Sequence, residues 1–329
     1  MHRRRLLQQL ASGAAAGLLG SIGTFAAHAQ TAFPGRAVRV IVPFPPGGSS
    51  DVIARLVCER LAKAWGQPVI VDNRPGATGM IGASTVAKAA PDGLTLLMTV
   101  SALVQAPSLY AKASYDPIRD FAPISELASA HVVLVAGPEL PVRQVKDLPA
   151  HVAKLGHPLT YGTYGQGSSA HLQMEIFARV AKLPLVHVPY KGENPLINEL
   201  LGGQVALGTI SAAAAAQHAR TGRIRPLAVM GSTRSPLLTD MPTFGEAGFA
   251  GLERDGWFGL FAPAGTPAAI VEQISRDANG IVADPALRRR MAEIGIVFKG
   301  TSPAAFAELL KVDQAYWAQA IRDANVKLD

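Results

Sequence analysis

The sequence contains a single cysteine, Cys58, in 329 residues. One thiol excludes an intramolecular disulfide, a CxxC redox pair and a cysteine-cluster zinc site. Charged residues make up only 17% of the chain against 49% hydrophobic residues, with 32 Gly and 24 Pro. That composition excludes a disordered chain, a coiled coil and a charged interaction tail. No block of lysine and arginine with interleaved aromatic residues is present, so we expect no nucleic-acid partner.

The first 29 residues have the features of an export signal. Arg3, Arg4 and Arg5 are followed by an uncharged stretch over 10–27, and Ala27-His28-Ala29 offers a small-x-small cleavage pattern. We predict cleavage after Ala29 and a periplasmic mature protein, exported by either the Sec or the twin-arginine route. Losing three arginines lowers Lys plus Arg from 31 to 28 against 24 acidic residues, so the net charge falls from +7 to +4. The later chain has no run of 18 apolar residues and predicts no membrane span.

Short apolar runs alternate with helical patterns through the rest of the chain. Strands are predicted at 38–42, 68–71, 94–100, 132–136, 159–162, 186–188, 205–207, 227–230 and 257–262. Such strands separated by helices predict an α/β fold with parallel sheets covered on both faces. Only helical patterns follow residue 262, so we expect the end of the chain to complete the first of two lobes. The predicted lobes are 30–130 plus 254–329 and 131–253, joined by crossing segments near 126–132 and 252–258.

The most informative segment, Pro43–Asp51, joins the end of a predicted strand to the start of a helix. Gly47 and Gly48 allow a ligand to approach the backbone closely, and Ser49 or Ser50 can cap the helix. The free N–H groups and the helix dipole form an anion site. The glycines are not followed by lysine, which excludes a nucleotide-triphosphate loop. We expect Asp51 to stabilise the first helical turn rather than to contact a ligand.

A second glycine- and serine-rich loop, Tyr161–Ala170, also connects a strand to a helix. Gly165, Gly167 and Ala170 fit G-x-G-x-x-A, but the next strand lacks the acidic residue that would hold a ribose. A dinucleotide, or any other cofactor, is therefore not predicted. Two such loops, one in each lobe, are better suited to gripping an acid across a cleft.

Catalytic and metal sites are poorly supported by the sequence. G-x-S-x-G and HExxH are both absent, and the eight histidines show no i, i+4 pairing. We predict no catalytic residue and no metal site. A hydrolase using Ser168 with His171 as its base stays open as an alternative, although a histidine one turn into a helix is more often a capping or packing residue.

Several ordered motifs make the mature chain resemble the tripartite tricarboxylate transporter substrate-binding proteins, also called Bug receptors. They are Pro43–Gly48 with Asp51 and Arg55, Asp72–Gly76 through Gly82, Pro91-Asp92-Gly93, Tyr161-Gly162 with Gly165 and Gly167, Val188–Gly192, Pro242-Thr243 with Glu246–Gly248, and Trp257–Gly259 leading to Pro263–Pro267. The resemblance implies a type II periplasmic binding protein fold, in which two α/β lobes joined by hinge segments close over a cleft.

The resemblance also implies which residues line the cleft. Backbone groups and bound waters of the two glycine loops would hold the carboxylate of a small organic acid. The residues implied are Phe44, Gly47, Gly48, Ser49, Ser50, Ser101, Ala102, Gly165, Gly167, Ser168, Ser169, Thr209 and Ser211. We expect a monomeric receptor whose partner is either a set of membrane permease subunits or, alternatively, a sensor kinase. The ligand is a di- or tricarboxylate, a hydroxy acid or an aromatic acid.

Overall fold

The computed structural model describes residues 33–328, in which the strands form two separate sheets. The predicted signal peptide, residues 1–29, lies outside the described residues. The strands are β1 (Val38–Val42), β2 (Val69–Asn73), β3 (Thr95–Val100), β4 (Phe121–Ala130), β5 (Val132–Ala136), β6 (Leu159–Thr163), β7 (Leu185–Pro189), β8 (Leu207–Ser211), β9 (Arg225–Met230), β10 (Gly256–Pro263) and β11 (Ile296–Phe298).

Helices connect most of these strands. They are α1 (Ser49–Trp65), α2 (Met80–Ala87), α3 (Ala102–Leu109), α4 (Leu148–Leu155), α5 (Ser169–Val180), α6 (Glu193–Leu201), α7 (Ala212–Ala219), α8 (Ala268–Val282), α9 (Pro285–Ala292) and α10 (Pro303–Ala324). Two 3₁₀ turns, Ala77–Gly79 and Val145–Asp147, precede α2 and α4. Among the described residues no helix is both long and apolar enough to span a membrane.

Both sheets are mixed, whereas the sequence predicted parallel sheets. Sheet 1 has the order β11-β4-β10-β3-β1-β2, and sheet 2 has the order β7-β6-β8-β5-β9. β1 is parallel to β2 and β3, but β10 runs antiparallel to β3 and β4. β5 is likewise antiparallel to β8 and β9. β5 and β10 are the first strands that the chain forms after it crosses from the other sheet, and they run opposite to the strands of the strand–helix units.

Two crossing segments connect the sheets, and they lie side by side. His131 alone separates β4 from β5, while residues 231–255 lead from β9 back to β10. Ala130 at the end of β4 pairs with Gly256 at the start of β10, and Val132 pairs with Met230. The sheets therefore face each other across these crossings. We call sheet 1 with its flanking helices lobe 1 and sheet 2 with its flanking helices lobe 2; the residue boundaries given above stay a prediction.

The C-terminal helix α10 fills the space where the lobes meet. It packs against β4 and α3 of lobe 1 and against α5 of lobe 2. Its Phe306 lies edge-on to Trp257 of β10, with ring centroids 5.4 Å apart. Buried Asp313 accepts a 2.8 Å hydrogen bond from Trp257 Nε1 and pairs with Arg254 at 3.3 Å. Burial raises the pKa of Asp313 to about 6.

Candidate functional site

The strand directions bring the predicted loops to facing edges of the two sheets. β1, β2 and β3 are parallel, so the loops after Val42, Asn73 and Val100 leave the same edge of sheet 1. Val100 pairs with Phe258, close to the point where the chain returns from lobe 2. In sheet 2, β6 and β8 are parallel, so the loop after Thr163 leaves the same edge as the end of β8. These are the edges at which an α/β sheet usually binds ligands.

The first loop is the predicted segment Pro43–Asp51, and it leads into a helix whose N-terminus has no side-chain cap. Gly47 has φ +87°, and Gly48 is the N-cap of α1 without any side-chain hydrogen bond to the helix. The expectation that Ser49 or Ser50 caps this helix was wrong, because both residues lie inside its first turn. Gly47, Gly48 and Ser49 are exposed, and Phe44 is half-buried. Because the first N–H groups of a 17-residue helix lack a side-chain acceptor at the N-cap, they can donate hydrogen bonds to an anion.

Asp51 fixes the shape of this loop. Its Oδ2 accepts hydrogen bonds from Gly47 N at 3.0 Å and Arg55 Nε at 2.9 Å. Asn73 Nδ2 donates to Asp51 Oδ1 at 3.0 Å and to the Phe44 carbonyl at 3.2 Å. The hydrogen bond from Arg55 is the main cause that lowers the pKa of Asp51 to about 2. The carboxylate is therefore charged and paired, and it holds Gly47 in place.

A strained turn after β2 packs against the first loop. Ala77 and Thr78 both lie in the left-handed region, with φ values of 47° and 53°. Such backbone is unfavourable for residues other than glycine and is concentrated at functional sites. Thr78 Oγ1 lies 2.9 Å from Tyr110 OH. Gly79 lies so close to Phe44 that an added Cβ would be 3.4 Å from its ring.

The second loop is held by its own hydroxyl groups. Ser168 is the N-cap of α5: its Oγ accepts a 3.3 Å hydrogen bond from His171 N and donates at 2.7 Å to the Gly165 carbonyl. Thr163 Oγ1 donates to the same carbonyl at 3.1 Å. Gly167 has φ +72°, which glycine adopts without strain. Burial raises the pKa of Tyr164, a loop residue absent from the predicted site, to about 12.

Two stacked histidines, His171 and His187, contact residues of the second loop. The rings of His171 and His187 lie 3.8 Å apart and nearly parallel. Gly167 N donates to His171 Nδ1 at 3.1 Å, so the Gly167 amide is already used. Burial lowers the pKa of both histidines, that of His187 to about 4. In these contacts Ser168 Oγ bonds only to backbone groups, and His171 Nδ1 accepts a hydrogen bond from the Gly167 amide. Ser168 and the His171 ring therefore lack the hydrogen bond that a nucleophile and its base require.

Predicted site residues of the two lobes make direct contact beside α5. Ser101 Oγ lies 3.1 Å from Ser169 Oγ, and Gln105 Nε2 donates to Ser169 Oγ at 2.8 Å. Gly167 fits so closely against Leu328 and Leu109 that an added Cβ would lie 2.7 and 3.1 Å from their Cδ1 atoms. The lobes are thus closed on each other at this point. Ala102, also predicted, is buried at the start of α3.

The two remaining predicted residues lie on β8. Thr209 is fully buried, and its hydroxyl donates to the Gly162 carbonyl at 3.3 Å. Ser211 Oγ caps α7 by accepting from Ala214 N at 3.2 Å, and its N–H donates to the Glu193 carboxylate. Both hydroxyls therefore make hydrogen bonds within lobe 2.

Two further polar residues at the site were not predicted. Gln105 lies four residues after Ser101 in an otherwise apolar stretch, on the same face of α3. That lone polar residue is a signal that sequence reasoning could have used. Glu193 follows a glycine at the start of α6, and only the fold shows that its carboxylate contacts the end of β8.

Comparisons with known proteins agree on one family. Residues 53–326 match the family model described as tripartite tricarboxylate transporter family receptor. The chain is similar to the periplasmic binding protein BugD, with 32% identity, a TM-score of 0.76 and coverage of 90% of this chain and 99% of BugD. It is also similar to R. palustris Rpa4515 with adipate (34%, TM-score 0.79, 90% and 99%) and to MatC from Rhodopseudomonas palustris with bound malate (31%, 0.75, 88% and 100%).

Proposed function

The chain belongs to the tripartite tricarboxylate transporter receptor family, and from that membership we propose that it binds a small organic carboxylate in the cleft between its lobes. Family members are periplasmic binding proteins with the two-lobed α/β fold described above. The observation that carries the proposal is the uncapped N-terminus of α1 at the edge of sheet 1 that faces lobe 2.

Three further observations support a carboxylate. The starts of α1 and α5 lie at the facing edges of the two sheets, so an anion held between the lobes would lie near both helix N-termini. The Asp51 carboxylate in the first loop is paired with the Arg55 cation, and it also accepts hydrogen bonds from Asn73 and the Gly47 amide. The similar structures of Rpa4515 and MatC hold adipate and malate. A dicarboxylate of four to six carbons is therefore the first ligand to test.

The energetics require closure of the lobes. Micromolar affinity corresponds to about −8 kcal/mol, whereas one helix terminus contributes about 0.3–1 kcal/mol toward an anion and about 2 kcal/mol at most. Two termini are insufficient, so desolvated hydrogen bonds and apolar contacts must supply the rest when the lobes close. Closure then gives the ligand its preference for one conformation.

The proposed binding residues combine the two loops with the strand ends. They are Phe44, Gly47, Gly48, Ser49, Ser50, Ser101, Ala102, Gly165, Gly167, Ser168, Ser169, Thr209 and Ser211. Ser168 and Gly167 act by shaping the second loop, because the Ser168 hydroxyl and the Gly167 amide are already engaged within it. We propose that the protein performs no chemistry, since Ser168 and the His171 ring are used in separate contacts.

The proposed location and partners follow from the export signal and the family. Cleavage after Ala29 would release the mature chain into the periplasm, where a closed, loaded receptor delivers its ligand to membrane permease subunits. A sensor kinase is the second candidate partner. Genes for small and large membrane subunits adjacent to the gene for this chain would favour uptake.

Two measurements test the proposal. Mass spectrometry of small molecules released by unfolding freshly purified protein should identify a carboxylic acid. Calorimetric titration with adipate, malate and their uncharged diamides should give binding of at least one acid and of neither diamide. Equal binding of acid and diamide, or no binding across a wider panel of acids, would contradict the assignment.

A further inference from the structure

A contact of three polar side chains joins the lobes beside the N-terminus of α5. Gln105 Nε2 of lobe 1 donates to Ser169 Oγ of lobe 2 at 2.8 Å, and Ser101 Oγ lies 3.1 Å from the same oxygen. Gln105 is 1% exposed and Ser101 is 3% exposed. A side-chain amide this deeply buried is unfavourable unless it is hydrogen-bonded. The partner that satisfies Gln105 belongs to the opposite lobe, so this amide is paired by closure.

We propose that Gln105 is a positioning residue with two effects: it holds the lobes closed through Ser169, and, because it donates to Ser169 Oγ, it leaves one hydroxyl proton of the Ser101–Ser169 pair available to the bound anion. The second effect rests on the proposed carboxylate-binding function. The first depends only on the observed contact.

The availability of this proton follows from counting donors. The amide nitrogen of Gln105 can only donate, so Ser169 Oγ is the acceptor in their hydrogen bond. The contact between Ser101 and Ser169 uses one of the two hydroxyl protons, whichever serine donates. The other proton stays available, and it lies beside the positive end of α5. An ionised carboxylate can only accept hydrogen bonds and is complementary to this arrangement.

Packing alone does not account for a glutamine at this position. Its neighbours Leu103, Val104 and Ala106 are buried apolar residues of the same short helix. Leucine has nearly the same volume and would fill this space without the cost of burying an amide. The glutamine is therefore informative, and Gln105→Leu is the variant that separates hydrogen bonding from packing.

The first test measures lobe separation in the full mature chain without ligand. Spin labels on cysteines replacing exposed Lys88 in lobe 1 and Glu199 in lobe 2 would report the distance between the lobes. Cys58 need not be removed, because it is buried and burial raises the pKa of its thiol to about 12. We expect Gln105→Leu and Ser169→Ala to shift the distances toward longer values. The matched control is Asn279→Leu, which removes an amide that donates at 2.9 Å to the Thr301 carbonyl within lobe 1, and it should not shift them.

The second test separates closure from proton direction. In Gln105→Glu, measured at a pH that ionises the new carboxyl group, the carboxylate accepts the Ser169 hydroxyl proton, Ser169 in turn accepts from Ser101, and neither hydroxyl proton is left for a ligand. This variant should keep the short distances and still bind adipate or malate at least a hundredfold more weakly. Gln105→Leu should bind the same acid about tenfold more weakly, the usual effect of losing one hydrogen bond.

Each part of the proposal has its own contradicting result. Unchanged distances in both Gln105→Leu and Ser169→Ala would show that the contact does not hold the lobes. Wild-type affinity in Gln105→Glu would show that the hydroxyl protons are not directed by residue 105. If the wild type binds no carboxylate, the proposed function fails, and the distance measurement still decides the role of Gln105 in closure.

Discussion

Valine at position 48 should abolish ligand binding while leaving the fold intact. Gly48 has φ −77° and ψ 169°, which valine adopts readily, and an added Cβ would meet only the Pro45 carbonyl at 3.9 Å. Inside the protein the larger side chain therefore has space. That space is where an anion must approach the first amides of α1.

The expected magnitudes differ widely for stability and for binding. Valine is a poorer N-cap than glycine, and the loss should be about 1 kcal/mol, or a fall of about 2–4 °C in Tm. Hydrogen bonds to a charged group contribute about 1.5–3 kcal/mol each. Blocking two of the amides removes at least about 3 kcal/mol, which is more than a hundredfold in Kd.

Calorimetric titration with adipate and malate, together with thermal melting, would check both values. The matched control is Gly35→Val, which places the same side chain in open space near the opposite, amino-terminal end of β1. It should bind like the wild type. If Gly48→Val retains wild-type affinity, the N-terminus of α1 is not the anion site.

Three further predictions concern the second loop. Gly167→Ala should weaken adipate or malate binding about tenfold, because its Cβ meets Leu328 and Leu109 in the closed form. Leu328→Ala in the same chain should restore only the part that comes from the contact with Leu328, since the φ of +72° stays strained for alanine. Folding lowers the pKa of His187 from 6.5 to about 4, so the free energy of unfolding should fall by at most about 3 kcal/mol as the pH drops from 6.5 to 4. In denaturant unfolding, the free energy of unfolding of His187→Gln should depend less on pH over this range. Ser168→Ala removes the cap of α5 and should lower the free energy of unfolding by about 1 kcal/mol. Ester turnover by the wild type that this variant abolishes would instead establish the hydrolase alternative.

Strands with continuous apolar runs were predictable from the sequence. β1 and β5 begin and end at the predicted residues, because such runs bounded by breakers have few other interpretations. The ten-residue strand β4 was missed because Pro123, Ser125 and Glu126 interrupt its apolar pattern. Pro123 is tolerated since β11 pairs only with Ala128–Ala130, leaving that side of β4 without a ladder at the proline. Residues 121–130 form a strand because they pair with β10 and β11, which come from distant parts of the chain.

The binding loops were predictable from their glycines, but their polar contacts were not. Glycine followed by serine after a strand indicates a loop whose backbone a ligand can approach closely. The sequence could not show that Gly48, rather than a serine, is the N-cap, because the answer changes if the helix begins one residue earlier or later. The contact of Gln105 with Ser169 joins residues 64 positions apart and needs the closed arrangement of the lobes.

The order of strands in sheet 1 has a consequence for folding. β10, which lies between β4 and β3, comes from residues 256–263, whereas all strands of sheet 2 come from 132–230. During synthesis from the amino end, sheet 2 can therefore form before sheet 1 is complete, because sheet 1 needs β10 from later in the chain. A chain truncated before residue 256 would lack β10, and the strands β1, β2 and β3 would then have no connection to β4 within sheet 1.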